Sequence, residues 1–280
     1  MGIFNNNNNF NPNYKKRPFD SYKSVVDKLD EETKQRLDRQ RQKGMLITIV
    51  FVFLLVVILA VTGIGIDKTK SVSGNIFADK ENVLIECFGD SLTEGFTVQE
   101  AGGSAIVENT YPEELKEKLP QLFSQDDKTW KFKNLEVKNY GQSGSILAKN
   151  SSSRLSGNAD IVVMQYIANN FINGEDYAGI IEENAEAIRK AGAALFILNY
   201  PYAKGTAYEE KLEQANNCIA AAARDLSIPL IDIHEYFDTL EGYSPDQLFS
   251  PDNLHLTPKG YELMGDYVSQ EIHEYYYNMF

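Results

Sequence analysis

Beyond residue 80 the sequence alternates short apolar runs with longer segments of helical periodicity, and this alternation restricts the fold more than any other feature. The runs are 82–88, 134–140, 161–166, 194–199 and 229–233; the helical segments are 111–119, 175–191, 207–226 and 258–277. Runs such as Ile161-Val162-Val163-Met164-Gln165-Tyr166 and Ala194-Leu195-Phe196-Ile197-Leu198-Asn199 are apolar almost throughout. Strands of that kind are buried on both sides, as in a parallel sheet covered by helices. The pattern predicts an α/β domain with a mostly parallel sheet of five strands. Sites in such sheets lie at the carboxyl ends of the strands. Thr110 with Glu113 predicts a capping box for the first helix, and Thr257-Pro258 predicts the start of the last.

The region before residue 81 divides differently. Residues 1–44 hold an asparagine run, Asn5 to Asn9, and then a Lys-, Arg-, Glu- and Gln-rich stretch. They read as a polar arm without a core of its own. Met45 to Ile66 is an uncharged run of twenty-two residues. About 20 apolar residues suffice for a helix to cross the hydrocarbon layer. Lys34, Arg36, Arg39, Arg41 and Lys43 crowd its N-terminal side, which places residues 1–44 in the cytoplasm and residues 67–280 outside. A cleaved signal peptide would need a shorter charged leader, a shorter apolar run and a small-x-small site. The expectation is therefore one uncleaved transmembrane helix at 45–66, a polar linker at 67–80 and a catalytic-sized domain at 81–280. The arm carries a net charge of +4 and the remainder −17. So acidic a domain is ill suited to nucleic acid.

One strand end holds the chemistry. Val83-Leu84-Ile85 leads into Cys87-Phe88-Gly89-Asp90-Ser91-Leu92-Thr93-Glu94-Gly95, which puts a serine just past a strand, among glycines, where a sharp turn exposes its hydroxyl. Far downstream, Asp252-Asn253-Leu254-His255 supplies a carboxylate and an imidazole three residues apart. A serine hydroxyl attacks only when a base takes its proton, and histidine is the side chain whose ordinary pKa suits that task. The Asp would hold the ring in the right tautomer. The other histidines, His234 and His273, have no Asp at such spacing and read as structural or surface residues. Cys87 and Cys218 show no metal-ligand spacing and read as small apolar side chains. The tail Tyr275-Tyr276-Tyr277 reads as packing.

Phe88 to Gly95 resembles the nucleophile segment of the GDSL, or SGNH, hydrolase family. Asp252-Asn253-Leu254-His255-Leu256-Thr257-Pro258-Lys259-Gly260-Tyr261 resembles that family's last segment, where acid and base share a loop before the final helix. Asn139-Tyr140-Gly141-Gln142-Ser143-Gly144 is similar to its second segment, and Ile167-Ala168-Asn169-Asn170 to its third, with Ile167 where the family has glycine and Asn170 where it has aspartate. The similarity runs over 82–280 in the family's order. It implies a flavodoxin-like three-layer α/β/α fold and catalysis by Ser91, Asp252 and His255. It also implies an oxyanion hole from the Ser91 and Gly141 N–H groups and the Asn169 amide, with Asn170 as the rival to Asn169. No metal and no cofactor are implied.

These readings predict a membrane-anchored serine esterase with its domain outside the cell. The soluble part has no long apolar lid, which favours a short acyl ester, such as an acetyl group on an envelope or extracellular glycan. An O-acyltransferase using the same three residues, or a non-catalytic binding protein on the same fold, are the alternatives.

Overall fold

The computed structural model describes residues 74–175 and 177–279. The expected arm at 1–44 and transmembrane helix at 45–66 lie outside the described residues. Among the described residues no helix is long and apolar enough to cross a membrane.

The apolar runs form one wholly parallel sheet. Its strands are β1 (Asn82–Gly89), β4 (Asn134–Gly141), β5 (Ile161–Gln165), β6 (Ala194–Leu198) and β7 (Leu230–Ile231), in the order β4-β1-β5-β6-β7. Every residue of β5, in the middle of the sheet, is buried. β4 lies at an edge and is half exposed, which explains its polar insertions Glu136 and Lys138. The expected strand at 229–233 shrinks to Leu230–Ile231, because Asp232 caps the following helix by accepting from Glu235 N–H at 2.9 Å. A short antiparallel pair, β2 (Phe96–Val98) and β3 (Ser104–Ile106), follows the serine segment and was not legible beforehand.

Helices cover both faces. On one side, α3 (Tyr111–Ser124) packs against α9 (Pro258–Tyr277) and meets β1 through Cys87 and Tyr111. On the other, α5 (Ile180–Lys190) lies over β6, and α6 (Glu209–Asp225) also packs on β6. The smaller helices are α1 (Ile76–Asp79), α2 (Ser91–Glu94), α4 (Ala168–Asn173), α7 (Ile233–Thr239) and α8 (Pro245–Leu248).

Three sequence expectations need correction. The capping box at Thr110 does not form: the Thr110 hydroxyl donates to the Glu113 carboxylate and caps no backbone N–H. The helix after it does not stop at 119 but runs through Pro120, because Leu119 and Phe123 continue one buried face. The linker at 67–80 is not polar tether to its end. Asn75 caps α1, and the fully buried Phe77 packs against Phe123 at 4.2 Å between ring centroids and edge-to-face against Tyr276 at 5.0 Å. Tyr276 of the tyrosine tail is thus core packing, as expected. Cys87 is buried, Cys218 is half-buried, and both are free.

Candidate active site

β1 has β4 on one side and β5 on the other, so the loops after these three strands leave the sheet together. Gly89 is in register with both Gly141 and Gln165 at the carboxyl ends. A crevice opens where neighbouring connections diverge in this way. Asp90 follows the strand and caps α2, its Oδ1 accepting from Leu92 N–H at 3.2 Å. Ser91 is thereby the first residue of a one-turn helix, and its N–H has no intrahelical acceptor.

His255 and Asp252 come from a tight loop between α8 and α9. Phe249 bridges to Leu256 across it, and Asn253 takes the left-handed φ of +57° that asparagine tolerates. Asp252 Oδ1 accepts from Leu254 N–H at 3.1 Å, His255 N–H at 3.0 Å and Ser250 Oγ at 3.0 Å. Asp252 Oδ2 lies 2.6 Å from His255 Nδ1, and His255 Nε2 lies 2.9 Å from Ser91 Oγ. A carboxylate can only accept, so Nδ1 carries the proton and Nε2 is left to accept from the Ser91 hydroxyl. Burial raises the pKa of Asp252. The hydrogen bonds from the His255 ring and backbone, with that residue's charge, outweigh burial and hold the group well below the usual carboxylate range. The Phe96 ring sits 4.6 Å from the imidazole.

The two asparagines after β5 separate cleanly. Asn170 is fully buried and spends its amide on Leu147, accepting from its N–H and donating to its C=O at 2.9 Å each. Asn169 lines the cleft beside Ser91 and His255, and its amide donates to Ser145 O at 3.0 Å and Asp90 Oδ2 at 3.4 Å. The residue in the family's glycine place, Ile167, is buried with φ at +104°, a conformation a β-branched side chain adopts only under strain.

Gly141 does not have the place expected of it. Its N–H is donated to Asn139 Oδ1 at 2.8 Å, and it is not part of the cleft. A Cβ there would stand 2.1 Å from Glu94 N, so its role is close packing of β4 onto the serine helix. Gly144 lines the cleft instead. It occupies the third place of a turn closed by Ser145 N–H to Gln142 O at 3.1 Å, with φ at +72°. Its N–H has no protein acceptor among the described residues. A glycine at the third place of a turn was the signal available in the sequence.

The cleft measures about 330 Å³ and is lined in part by Phe96, Ile172, Tyr208 and Leu254. Among the described residues no Lys or Arg side chain lines it. Asp90 and Tyr200 form its floor. The buried Tyr200 hydroxyl donates to Asp90 Oδ2 at 2.6 Å. Burial pushes the Asp90 pKa up to about 6 against the pull of that hydrogen bond and of Leu92 N–H. Neither Tyr200 nor a titrating Asp90 was legible in the sequence. His234 stacks on Tyr202 at 4.5 Å, and His273 meets Asp126 at 3.0 Å, so both are structural as expected.

Solved structures share this fold. The lipase/acylhydrolase from Enterococcus faecalis is 20% identical with a TM-score of 0.53, over 69% of this chain and 96% of that one. The family 3 carbohydrate esterase of Clostridium thermocellum is 19% identical with a TM-score of 0.51, over 71% of this chain and 98% of that one. LAE5, an alpha/beta hydrolase enzyme from the metagenome of Lake Arreo, is also 19% identical, with a TM-score of 0.52 and the same coverage. No curated protein matches the sequence. The sequence profile of the GDSL-like lipase/acylhydrolase family matches residues 87–263, the stretch that holds the serine, both cleft loops and the Asp252–His255 pair, and the chain belongs to that family.

Proposed function

We propose that the chain is a serine ester hydrolase that acts by acyl transfer. The observation that carries this reading is the unbroken line from Asp252 Oδ2 through the His255 ring to Ser91 Oγ, at 2.6 and 2.9 Å. Ser91 Oγ attacks the ester carbonyl while its proton passes to His255 Nε2. Asp252 stabilises the imidazolium that forms. The carbonyl oxygen becomes an oxyanion, met by the Ser91 and Gly144 N–H groups and by the Asn169 amide hydrogen that gives up its long 3.4 Å contact with Asp90 Oδ2. Collapse breaks the C–O bond and His255 protonates the departing alcohol. Water then attacks the acyl-enzyme with His255 again as base, releasing the acid and free Ser91.

The substrate we propose is a neutral, short acyl ester, such as an acetylated glycan. A cleft of about 330 Å³ with aromatic and aliphatic walls and no cationic lining suits a small acyl group better than a long chain or an anionic one. The fold shared with a structure named a carbohydrate esterase agrees with an acyl-ester substrate. The uncharged run 45–66, with its basic N-terminal flank, supports a membrane anchor and an extracytoplasmic domain.

The test is release of free acid from a chromogenic acetyl ester by the full chain, with Ser91→Ala and His255→Ala as controls. Activity that survives both substitutions overturns the proposal. Acyl transfer to an added glycan in preference to water reassigns the chain as an acyltransferase.

A further inference from the structure

The loop that brings Gly144 to the cleft has little packing to hold it. Gln142, Ser143 and Gly144 are all exposed, so hydrogen bonds rather than burial fix the turn. Gln142 N–H donates to Gly89 O at 3.0 Å. The more pointed tie is to Glu94, the last residue of the helix that begins with Ser91. Glu94 Oε2 accepts from Ser143 N–H at 2.6 Å and also from the Ser143 hydroxyl. Beneath it, Asn139 Nδ2 donates to Thr93 O at 2.8 Å. The serine helix and the glycine turn are therefore bolted together at the residue next to Gly144.

We propose that Glu94 is a positioning residue: it fixes the Ser143–Gly144 peptide so that the Gly144 N–H meets the oxyanion raised on Ser91. The inference rests on the acyl-transfer reading above. An oxyanion donor is useful only when it is already aimed, because turning it during the reaction costs part of the stabilisation it gives. Two donors of one residue converging on a single carboxylate oxygen leave the peptide little freedom. The feature needed is an acceptor at the right reach, not a charge. A negative charge this near a developing oxyanion is itself unfavourable. Glutamine has the same reach and keeps an acceptor. Aspartate keeps the charge but falls short by about one carbon–carbon bond, outside hydrogen-bond distance.

The experiment compares Glu94→Ala, Glu94→Asp and Glu94→Gln in the full chain on a chromogenic acetyl ester, with Ser91→Ala alongside. Ala and Asp are expected to lower kcat by about 10- to 100-fold with KM changed less than about threefold, and Gln to stay within about threefold of the parent. Thermal unfolding midpoints should be alike in all three. An inhibitory trifluoromethyl ketone, which forms a tetrahedral adduct, should weaken in step with kcat. If Ser91→Ala still hydrolyses the ester, the acyl-transfer reading itself has failed. If Ser91→Ala is inactive and either the Ala or the Asp variant keeps the parent kcat, the positioning role is overturned. A common fall of Ala, Asp and Gln that tracks lost thermal stability also overturns it, since that is the mark of a merely structural residue.

Discussion

Tyr200 and Asp90 meet beside Ser91, the phenol donating to the carboxylate at 2.6 Å, with both side chains buried. Burial is the larger influence on Asp90 and moves its pKa from 3.8 to about 6. Between those values the folded protein holds a proton that the unfolded chain has released. Stability therefore falls as pH rises through that window, by an amount on the order of 3 kcal/mol for a shift of about two units. Asp90→Asn keeps a capping side chain and removes the titration. Denaturant unfolding of parent and variant at intervals from pH 4 to pH 7 should show the parent losing stability relative to the variant as pH rises. A constant difference across that range would remove Asp90 from the account. Tyr200→Phe removes a hydrogen bond that favours the carboxylate, so its loss of stability should extend above pH 6.

The His255 tautomer is set by Asp252. Replacing that carboxylate with an amide offers the ring a donor where it now finds an acceptor, and favours the tautomer with the proton on Nε2. That nitrogen then cannot receive the Ser91 proton. Asp252→Asn should lower kcat by about 10⁴ while leaving the fold intact. Near-parent turnover on the acetyl ester would mean that the line from 252 to 91 is not the working one.

The adjacent asparagines should fail in different ways. Asn169→Ala removes a cleft amide, and a loss of about 10²–10³ in kcat with little change in unfolding is expected. Asn170→Ala leaves the buried Leu147 N–H and C=O without partners, which costs about 2–4 kcal/mol, while the folded fraction keeps most of its turnover. Parallel kinetic and unfolding measurements decide it, and the reverse assignment would put Asn170 at the reacting centre.

The sheet was legible because its inner strands are nearly continuous apolar runs, and four of the five strands lie within a residue of their expected bounds. The exception, 229–233, is a case where a strand-like sequence ends in a cap: Asp232 turns the chain into α7. The hydrogen-bonded line of Ser91, His255 and Asp252 was legible because each residue sits at a chemically distinctive place, a strand end and a loop before a capped helix. The loop proposed to meet the oxyanion was harder. Gly141 and Gly144 stand three apart in the same polar stretch, and nothing in their spacing shows which N–H is free. That depends on the Asn139 side chain, which takes the Gly141 N–H and reaches Thr93 at the same time. Tyr200 and Asp90 are 110 residues apart, and only the sheet order brings them together. α1 was hidden because it is a single turn, and its cap Asn75 and buried Ile76 and Phe77 follow a largely polar stretch.

The same pair of glycines gives a direct check on the corrected site. At Gly141 an added methyl meets backbone, 2.1 Å from Glu94 N and 2.5 Å from Thr93 C, and neither can move without shifting the helix that carries Ser91. Gly141→Ala should therefore cost at least about 3 kcal/mol and lower the unfolding midpoint sharply. At Gly144 an added methyl meets nothing within 4 Å, and only the left-handed backbone at φ +72° resists it. That strain is worth about 1–2 kcal/mol. It also pulls the turn toward a negative φ and moves the 144 N–H away from the cleft. Gly144→Ala should thus be the milder change in stability and the more selective change in kcat once the folded fraction is matched. Thermal unfolding and turnover measured on the two variants together test this, and a Gly141→Ala protein as stable as the parent would show that β4 and the serine helix are not in the contact described.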